Sequence, residues 1–295
     1  TNNQIDLIHA HYAIPHTAAA WIAKELIGQA APPIITTLHG TDIIYLGAMA
    51  EYRPLLQHVL EASNLVTCVS ENLKKRTEQL FNLDAEIEVV PNFFEPKPPT
   101  RSREDIRASL DVGDGVLAIH ASNLRSIKRI DLMLDAFKEA VSRCDANLLI
   151  MAGAEASRIQ PEIKKRSLEN HVRIVDDVYE IDNYYAASDF TLYTSEYESF
   201  CLGILEGMRH GLPSIAFEVG GIPEVVVNEE SGILVPFGDI EALGVAIVRL
   251  AGDGDCRKEM GASARARAEK EFSAGVIVDS YMGAYRRVLA SESSM

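Results

Sequence analysis

Cysteine is scarce: only Cys68, Cys144, Cys201 and Cys256 occur in 295 residues. None forms a CxxC pair, and all lie in or beside apolar or helical stretches. That argues against a disulfide framework or a zinc site and for buried free thiols. No run of about 18 apolar residues is present, so no transmembrane span is expected. The leading Thr1-Asn2-Asn3-Gln4 lacks the basic-then-apolar pattern of a secretory signal. A reducing, cytoplasmic setting is the expectation. Positive charge is also short, with 28 Lys and Arg against 43 Asp and Glu, a formal net charge of −15. Non-specific nucleic-acid binding needs a cationic surface and is excluded on that ground. An anionic ligand would need a local cationic pocket. GxGxxG and GxxxxGK[ST] are absent, which removes the usual dinucleotide and P-loop readings.

What is present is an ordinary globular composition, 47% hydrophobic and 24% charged, long enough for about two domains. Short apolar runs alternate with longer amphipathic ones. Strands are expected at Ile5–His11, Ile34–Leu38, Leu65–Val69 and Glu86–Val90. A helix is expected from Pro15 to Ile27, with proline in its first turn. Further helices are expected over Glu51–Ala62 and Glu71–Phe81, the latter capped by Ser70. Residues 95–104 are proline-rich, charged and non-periodic, and read as an interdomain connection. Strands resume at Val116–Ala121, Ala146–Ala152, Val172–Val175, Phe190–Tyr193, Ser214–Phe217 and Ile233–Val235. Residues 240–290 are helical in pattern. Strands at this spacing need crossover helices, so both sheets should be mostly parallel. Such units bind ligands at the carboxyl ends of their strands, and two of them imply a cleft. The first unit has few strands, and the chain is expected to begin partway through that domain.

Four local patterns could carry chemistry. Asn123-Leu124-Arg125-Ser126-Ile127-Lys128-Arg129 follows an expected strand. Its cations could neutralise a diphosphate, Arg as a fork and Lys as a point charge; a solvated basic turn fits the same spacing. Glu198-Ser199-Phe200-Cys201-Leu202-Gly203-Ile204-Leu205-Glu206 opens a helix, whose first N–H groups suit a phosphate oxygen. Its carboxylates could accept hydrogen bonds from sugar hydroxyls, or simply complement the helix dipole and face solvent. Gly220-Gly221 lets a ligand approach backbone closely, as would an ordinary turn. Leu38-His39-Gly40-Thr41-Asp42 places a histidine directly after a buried strand. His9, His11 and His16 gather around Tyr12. His9 and His11 share a strand face without an evident carboxylate partner, so no metal is expected there.

In this order the four elements resemble the retaining family 4 glycosyltransferases of the GT-B fold, over essentially the whole chain. The family's E-x7-E spacing matches Glu198 and Glu206. His9-Ala10-His11-Tyr12-Ala13-Ile14-Pro15-His16, Thr36-Thr37-Leu38-His39-Gly40-Thr41-Asp42-Ile43 and His120-Ala121-Ser122-Asn123 are similar to one branch of it. That branch moves N-acetylglucosamine from UDP-GlcNAc to L-malate on the route to bacillithiol. The resemblance implies an α/β fold with two Rossmann-like parallel-sheet domains facing a cleft. It implies an incomplete N-terminal acceptor-side domain at 1–94, a nucleotide-sugar domain at 95–273, and a last segment, 274–295, returning to the first domain. It also implies a hexosyltransferase that needs no metal, small-molecule substrates and compatibility with a homo-oligomer. There is no convincing DxD motif.

The roles implied by the resemblance are as follows. Arg125 and Lys128 hold the donor diphosphate. Glu198 binds sugar hydroxyls and Glu206 the ribose. Asn123, Ser199, Phe200, Cys201 and Leu202 meet the donor, with Gly220 and Gly221 beside it. His39 contacts the transferred sugar or its phosphate, while Tyr12, Thr41 and Arg53 serve the acceptor. The sequence departs from the family at Cys201, where glycine is usual, and at Gln57, where malate-specific relatives carry arginine. It departs again at Gly153-Ala154-Glu155-Ala156-Ser157, where a GDGPE-like run is usual. Arg53, one helical turn before Gln57, could supply the absent cation. The alternatives are a different nucleotide sugar or acceptor, or a non-catalytic sugar-nucleotide-binding fragment.

Overall fold

The computed structural model describes residues 5–84, 86–153, 156–176 and 178–292. Thr1–Gln4 and the Ala154-Glu155 pair of the 153–157 run lie outside them. The first elements are β1 (Ile8–His11), α1 (Ala18–Ile27), β2 (Ile34–Leu38), α2 (Arg53–Glu61), β3 (Leu65–Cys68), α3 (Glu71–Leu80) and β4 (Ile87–Val89). There follow α4 (Arg103–Leu110), β5 (Val116–Ala121), α5 (Ile130–Val141), β6 (Ala146–Met151), α6 (Ala156–Lys165), β7 (Val172–Val175), α7 (Ile181–Ala187) and β8 (Phe190–Tyr193). The chain continues through α8 (Leu202–Arg209), β9 (Ser214–Phe217), α9 (Ile222–Val225), β10 (Gly232–Val235), α10 (Ile240–Gly252), α11 (Gly254–Glu271) and α12 (Ala274–Glu292). These divide into two compact units, one running to Asn92 and including α12, the other spanning Phe93–Ser273.

The first unit is a four-stranded sheet in the order β1-β2-β3-β4, with every pairing parallel. Ile34, Ile35 and Leu38 of β2 and Val66 and Cys68 of β3 are buried, as central strands require. Ser70 caps α3 by accepting the Leu73 N–H at 3.1 Å, which fixes where that helix begins. The first helix does not start at Pro15. Ile14 is extended (φ −123°, ψ 129°), an irregular turn occupies Ala13–Thr17, and α1 begins at Ala18. The extended Ile14 is what the following proline requires, and regular α-helix sets in only after the irregular turn. The amino-terminal strand likewise begins at Ile8, where it first pairs with Ile34.

The second unit is a six-stranded parallel sheet in the order β10-β9-β8-β5-β6-β7. Its core packs Met133, Leu134 and Phe137 of α5 with Leu243 and Ile247 of α10 and with strand residues such as Leu148, Phe190 and Ile215. The chain runs outward through β5, β6 and β7, then returns to the other side of β5 for β8, β9 and β10. The strand order therefore reverses between β5 and β8. In open parallel sheets the loops at such a reversal diverge and leave room for a ligand at the carboxyl ends. The residues before α4 run extended along α7. Lys97 N–H donates to Asp182 Oδ1 (3.0 Å) and Thr100 N–H to Asn183 Oδ1 (2.8 Å).

Candidate functional site

The reversal point of the second unit is flanked by the β5 loop (122–129) and the β8 loop (194–201), and hydrogen bonds tie the two together. The Glu196 N–H donates to Ile127 O (2.8 Å), and Thr194 Oγ1 lies 3.0 Å from both Lys128 O and Arg129 O. His120, fully buried on β5, lies 2.8 Å from Ser122 Oγ, which in turn accepts the Leu124 N–H at 3.2 Å. Leu124 and Arg129 both have positive φ, 49° and 47°, so the loop turns sharply at each end. Burial, reinforced by Lys128, holds the His120 imidazole down to about 4 against 6.5 ordinarily, while its bond to Leu192 O opposes the shift. The ring is neutral at pH 7.

The tie brings two of the sequence motifs into contact. Lys128 Nζ lies 2.6 Å from Glu198 Oε1, and Ser195 Oγ donates to the same oxygen at 2.6 Å. Both members of the ion pair are largely buried, with side chains 15% and 11% exposed. Burial disfavours the Lys128 charge, yet the adjoining Glu198 carboxylate outweighs it and holds the ammonium's pKa above its ordinary value. Arg125 is exposed, with Nε 3.4 Å from Asn123 Oδ1, and stands close enough to Lys128 for their charges to repel. The third motif joins at the same place. The Gly221 N–H donates to Glu198 O at 2.8 Å. Gly220 has φ +55°, and a Cβ there would lie 2.0 Å from Glu198 O. Only glycine satisfies both conditions.

Cys201 stands at the N-cap of α8 with φ 76°, a left-handed conformation that costs a side chain about 1–2 kcal/mol. Its thiol is buried beside Lys128 and Glu198, and burial first, then Glu198, pushes its pKa well above the ordinary thiol range. The cysteine is a packed thiol, not a thiolate. Ser199 and Phe200 precede it, Phe200 buried against Phe272 with ring centroids 5.5 Å apart. Leu202 opens the helix half exposed.

One turn into α8, Glu206 borders a cavity of about 420 Å³ lined by Ala121, Met151, Val175, Val178 and Ile181. These residues lie at or just beyond the carboxyl ends of β5, β6 and β7. Glu206 is not the solvent-facing residue its position in the pattern allowed. Burial raises its pKa, partly offset by a hydrogen bond from Tyr185.

The first unit collects its own group at the carboxyl ends of β1 and β2. His11 Nδ1 lies 2.9 Å from His39 Nε2, and the Tyr12 ring stands 4.8 Å from the His39 ring. Burial, then the His11 charge, holds His39 down to about 4. Burial, then His16, lowers His11. With both rings neutral, one donates and the other accepts, so their tautomers are complementary. His9 points elsewhere: its ring nitrogens lie 2.7 Å from Tyr285 OH and 2.7 Å from Thr37 Oγ1. The His9-x-His11 pair is thus spent on separate partners. Among the described residues no group of three or more His, Cys, Asp or Glu is placed to hold a metal ion.

Tyr12 has φ 75°, and Asp42 holds this bend. Asp42 Oδ2 accepts the Ala13 N–H and Oδ1 the Gly40 N–H, both at 3.0 Å. Burial raises the Asp42 pKa, opposed by these backbone donors. Thr41 begins the turn that Asp42 anchors and is exposed. Arg53 Nε donates to Gly47 O at 2.8 Å, at the close of that same turn. Gln57 gives its amide to Glu61 Oε1 and to Asn82 O (2.9 Å).

The site residues therefore fall into two sets. Asn123, Arg125, Lys128, Glu198, Ser199, Phe200, Cys201, Leu202, Glu206, Gly220 and Gly221 belong to the second unit, and Tyr12, His39, Thr41 and Arg53 to the first. Sequence reasoning left out Ser195, Tyr185 and Asp42. Asp42 carried a signal, as the short acceptor closing HGTD. Tyr185 carried none, because its partner is distant in sequence.

Comparison with known proteins gives a consistent picture. Residues 102–267 match the family described as Glycosyl transferases group 1, and residues 1–97 match Glycosyltransferase Family 4. The chain is 34% identical over 293 residues to N-acetyl-alpha-D-glucosaminyl L-malate synthase of Bacillus anthracis, covering 98% of this chain and 77% of that one. It is 30% identical over 316 residues to D-inositol 3-phosphate glycosyltransferase of Saccharomonospora viridis, covering 97% and 71%. Its fold matches HepE of Anabaena, solved with UDP and glucose, at TM-score 0.83 and 22% identity, covering 96% and 78%. Sucrose-phosphate synthase of Thermosynechococcus elongatus matches at TM-score 0.81 and 23% identity, covering 97% and 74%.

Proposed function

The chain belongs to the family 4 glycosyltransferases of the GT-B fold, and from that membership we propose that it moves N-acetylglucosamine from UDP-GlcNAc to L-malate with retention at the anomeric carbon. The observation that carries the reading is the likeness to the malate synthase, which extends across both units.

In this reading the donor occupies the β5–β8 reversal of the second unit. The cavity beside Glu206 takes the nucleoside, with apolar side chains against the base and the carboxylate on the ribose hydroxyls. The diphosphate lies against Arg125, Lys128 and the first N–H groups of α8. The C1–O bond to the diphosphate breaks, and the malate hydroxyl oxygen bonds to C1. The hydroxyl proton passes to the departing phosphate oxygen, so charge and protons balance within the two substrates. Negative charge grows on the diphosphate as the bond breaks. Cations that meet that growing charge lower the barrier, a single preorganised donor being worth about 3–4 kcal/mol. Glu198 binds hydroxyls of the transferred sugar. His39, neutral at pH 7, hydrogen-bonds the sugar or its phosphate, and Tyr12, Thr41 and Arg53 serve the acceptor.

A second reading keeps the donor and changes the acceptor. The Gln57 amide is committed to Glu61 and Asn82, and the only cation near it on α2, Arg53, is tied to Gly47 O. Incubation of the chain with UDP-GlcNAc and malate should release UDP and yield an α-linked product by proton NMR. UDP release with an inositol phosphate or another hydroxy acid, and none with malate, selects the second reading. A β-linked product rejects retention.

A further inference from the structure

Tyr185 lies on α7, outside every motif visible in the sequence. It is fully buried, and its hydroxyl lies 2.7 Å from Glu206 Oε2. The same oxygen stands 3.2 Å from Gly203 O and 3.4 Å from Tyr193 OH. A phenol has one proton. The shortest contact is to the one charged acceptor, so Tyr185 donates to Glu206 and the other contacts are secondary. The ring itself is held. It stacks on His210, 10° from parallel with centroids 5.7 Å apart. His210 Nε2 lies 2.9 Å from Asp182 Oδ1, which also accepts the Lys97 N–H. A carboxylate bordering a cavity of about 420 Å³ would otherwise rotate freely about its last bond.

We propose that Tyr185 is a positioning residue for the donor nucleotide: its buried hydroxyl fixes one oxygen of the Glu206 carboxylate, so that the carboxylate meets the ribose hydroxyls in one orientation. This rests on the reading above that Glu206 binds the ribose. Tyr185 touches no substrate and acts through Glu206 alone. Its removal weakens recognition of the ribose hydroxyls specifically, and leaves the base and diphosphate contacts unchanged.

Calorimetric titration of the whole chain with UDP and with 2′,3′-dideoxy-UDP tests this, since the two probes share base and diphosphate. The unaltered protein should bind UDP about tenfold or more tightly than the dideoxy form, the usual scale for hydrogen bonds to a charged group. Tyr185→Phe should shrink that ratio by about fivefold or more with the dideoxy affinity unchanged. A ratio that survives Tyr185→Phe, or an equal loss for both nucleotides, overturns the proposal. Glu206→Gln separates the two readings. A ratio lost in Glu206→Gln and kept in Tyr185→Phe defeats the positioning role alone. A ratio kept in Glu206→Gln defeats the ribose assignment, and the positioning role with it. Should Tyr185→Phe not fold, Glu206→Asp withdraws the carboxylate from the hydroxyl and keeps its charge. The ratio should fall there too, and its persistence overturns the proposal.

Discussion

Replacing Lys128 by methionine removes the ammonium and keeps the stem. Glu198 then keeps the Ser195 hydroxyl as a side-chain donor, while its side chain is only 11% exposed. Breaking a buried ion pair from one side typically costs 3–5 kcal/mol, because the remaining charge is uncompensated. Both side chains keep a trace of solvent contact, so about 3 kcal/mol is the expected value. For a unit of this size about 2–4 °C of melting temperature accompanies each kcal/mol, giving a fall of about 6–12 °C. The double variant Lys128→Met/Glu198→Gln leaves no buried charge and should recover most of that loss. Turnover should not recover with it, since the cation proposed to face the departing diphosphate is still absent; a loss of about 10²–10³-fold is expected in both variants. Calorimetric melts alongside UDP release measure the two quantities separately. If the double variant regained turnover in step with its melting temperature, Lys128 would be a structural residue. If Lys128→Met melted like the unaltered protein, the pair would not be buried as described.

Acid should destabilise the fold earlier than carboxylate titration alone requires. His120, His39 and His9 are each held down to about 4 from 6.5. Between those values the unfolded chain binds more protons than the folded one, so stability rises with pH across this window and is lost as pH falls through it. The fully buried His120 alone contributes about 2 kcal/mol to the loss at pH 5, and urea midpoints that stay flat from pH 7 to 5 would refute this. Gly220→Ala should destabilise the second unit by more than about 2 kcal/mol and weaken UDP binding together, because the new Cβ meets Glu198 O at 2.0 Å at a positive φ. Normal UDP titration in that variant would separate the glycine turn from the donor site. Tyr12→Phe should raise the Michaelis constant for the acceptor several-fold and leave that for UDP-GlcNAc unchanged; an unaltered acceptor constant removes Tyr12 from the acceptor side.

The second unit was more legible in the sequence than the first for a physical reason. Phe190–Tyr193 and Ser214–Phe217 are bounded as their apolar runs suggest, since strands buried on both faces leave unbroken hydrophobic stretches. At the edge strand β1 the reading overran. Ile5, Asp6 and Leu7 lead into β1, but its pairing begins only at Ile8. Around Pro15 the pattern shows a helix entry but not the irregular turn over Ala13–Thr17 that precedes α1. The charged motifs were visible as motifs, but not their pairing. Nothing in the spacing of Lys128 and Glu198 says that they touch; that contact needs β5 and β8 to be neighbours, a property of strand order. Tyr185 shows the same limit more sharply. An aromatic in a helix reads as core, and only the folded chain shows its hydroxyl on a carboxylate.

Strand order also explains how a chain of net charge −15 could offer the proposed site to a dianionic leaving group. Exposed acids farther away than about 8 Å are screened at physiological salt, so the fields that matter are those of the β5 and β8 loops. There Arg125 and Lys128 repel one another, and with no counter-charge that repulsion would swing the lysine out to solvent. Glu198, itself held by Ser195, ties Lys128 down, so the ammonium is oriented and largely desolvated before any substrate arrives. In the proposed reaction the diphosphate then adds a second anion to a cation already in place, and little reorganisation remains to be done as the bond breaks. The carboxylate proposed to bind the sugar is therefore also the group that keeps the cation aimed. Glu198→Gln should accordingly weaken sugar binding and also let Lys128 drift, lowering kcat beyond what one lost hydroxyl contact explains.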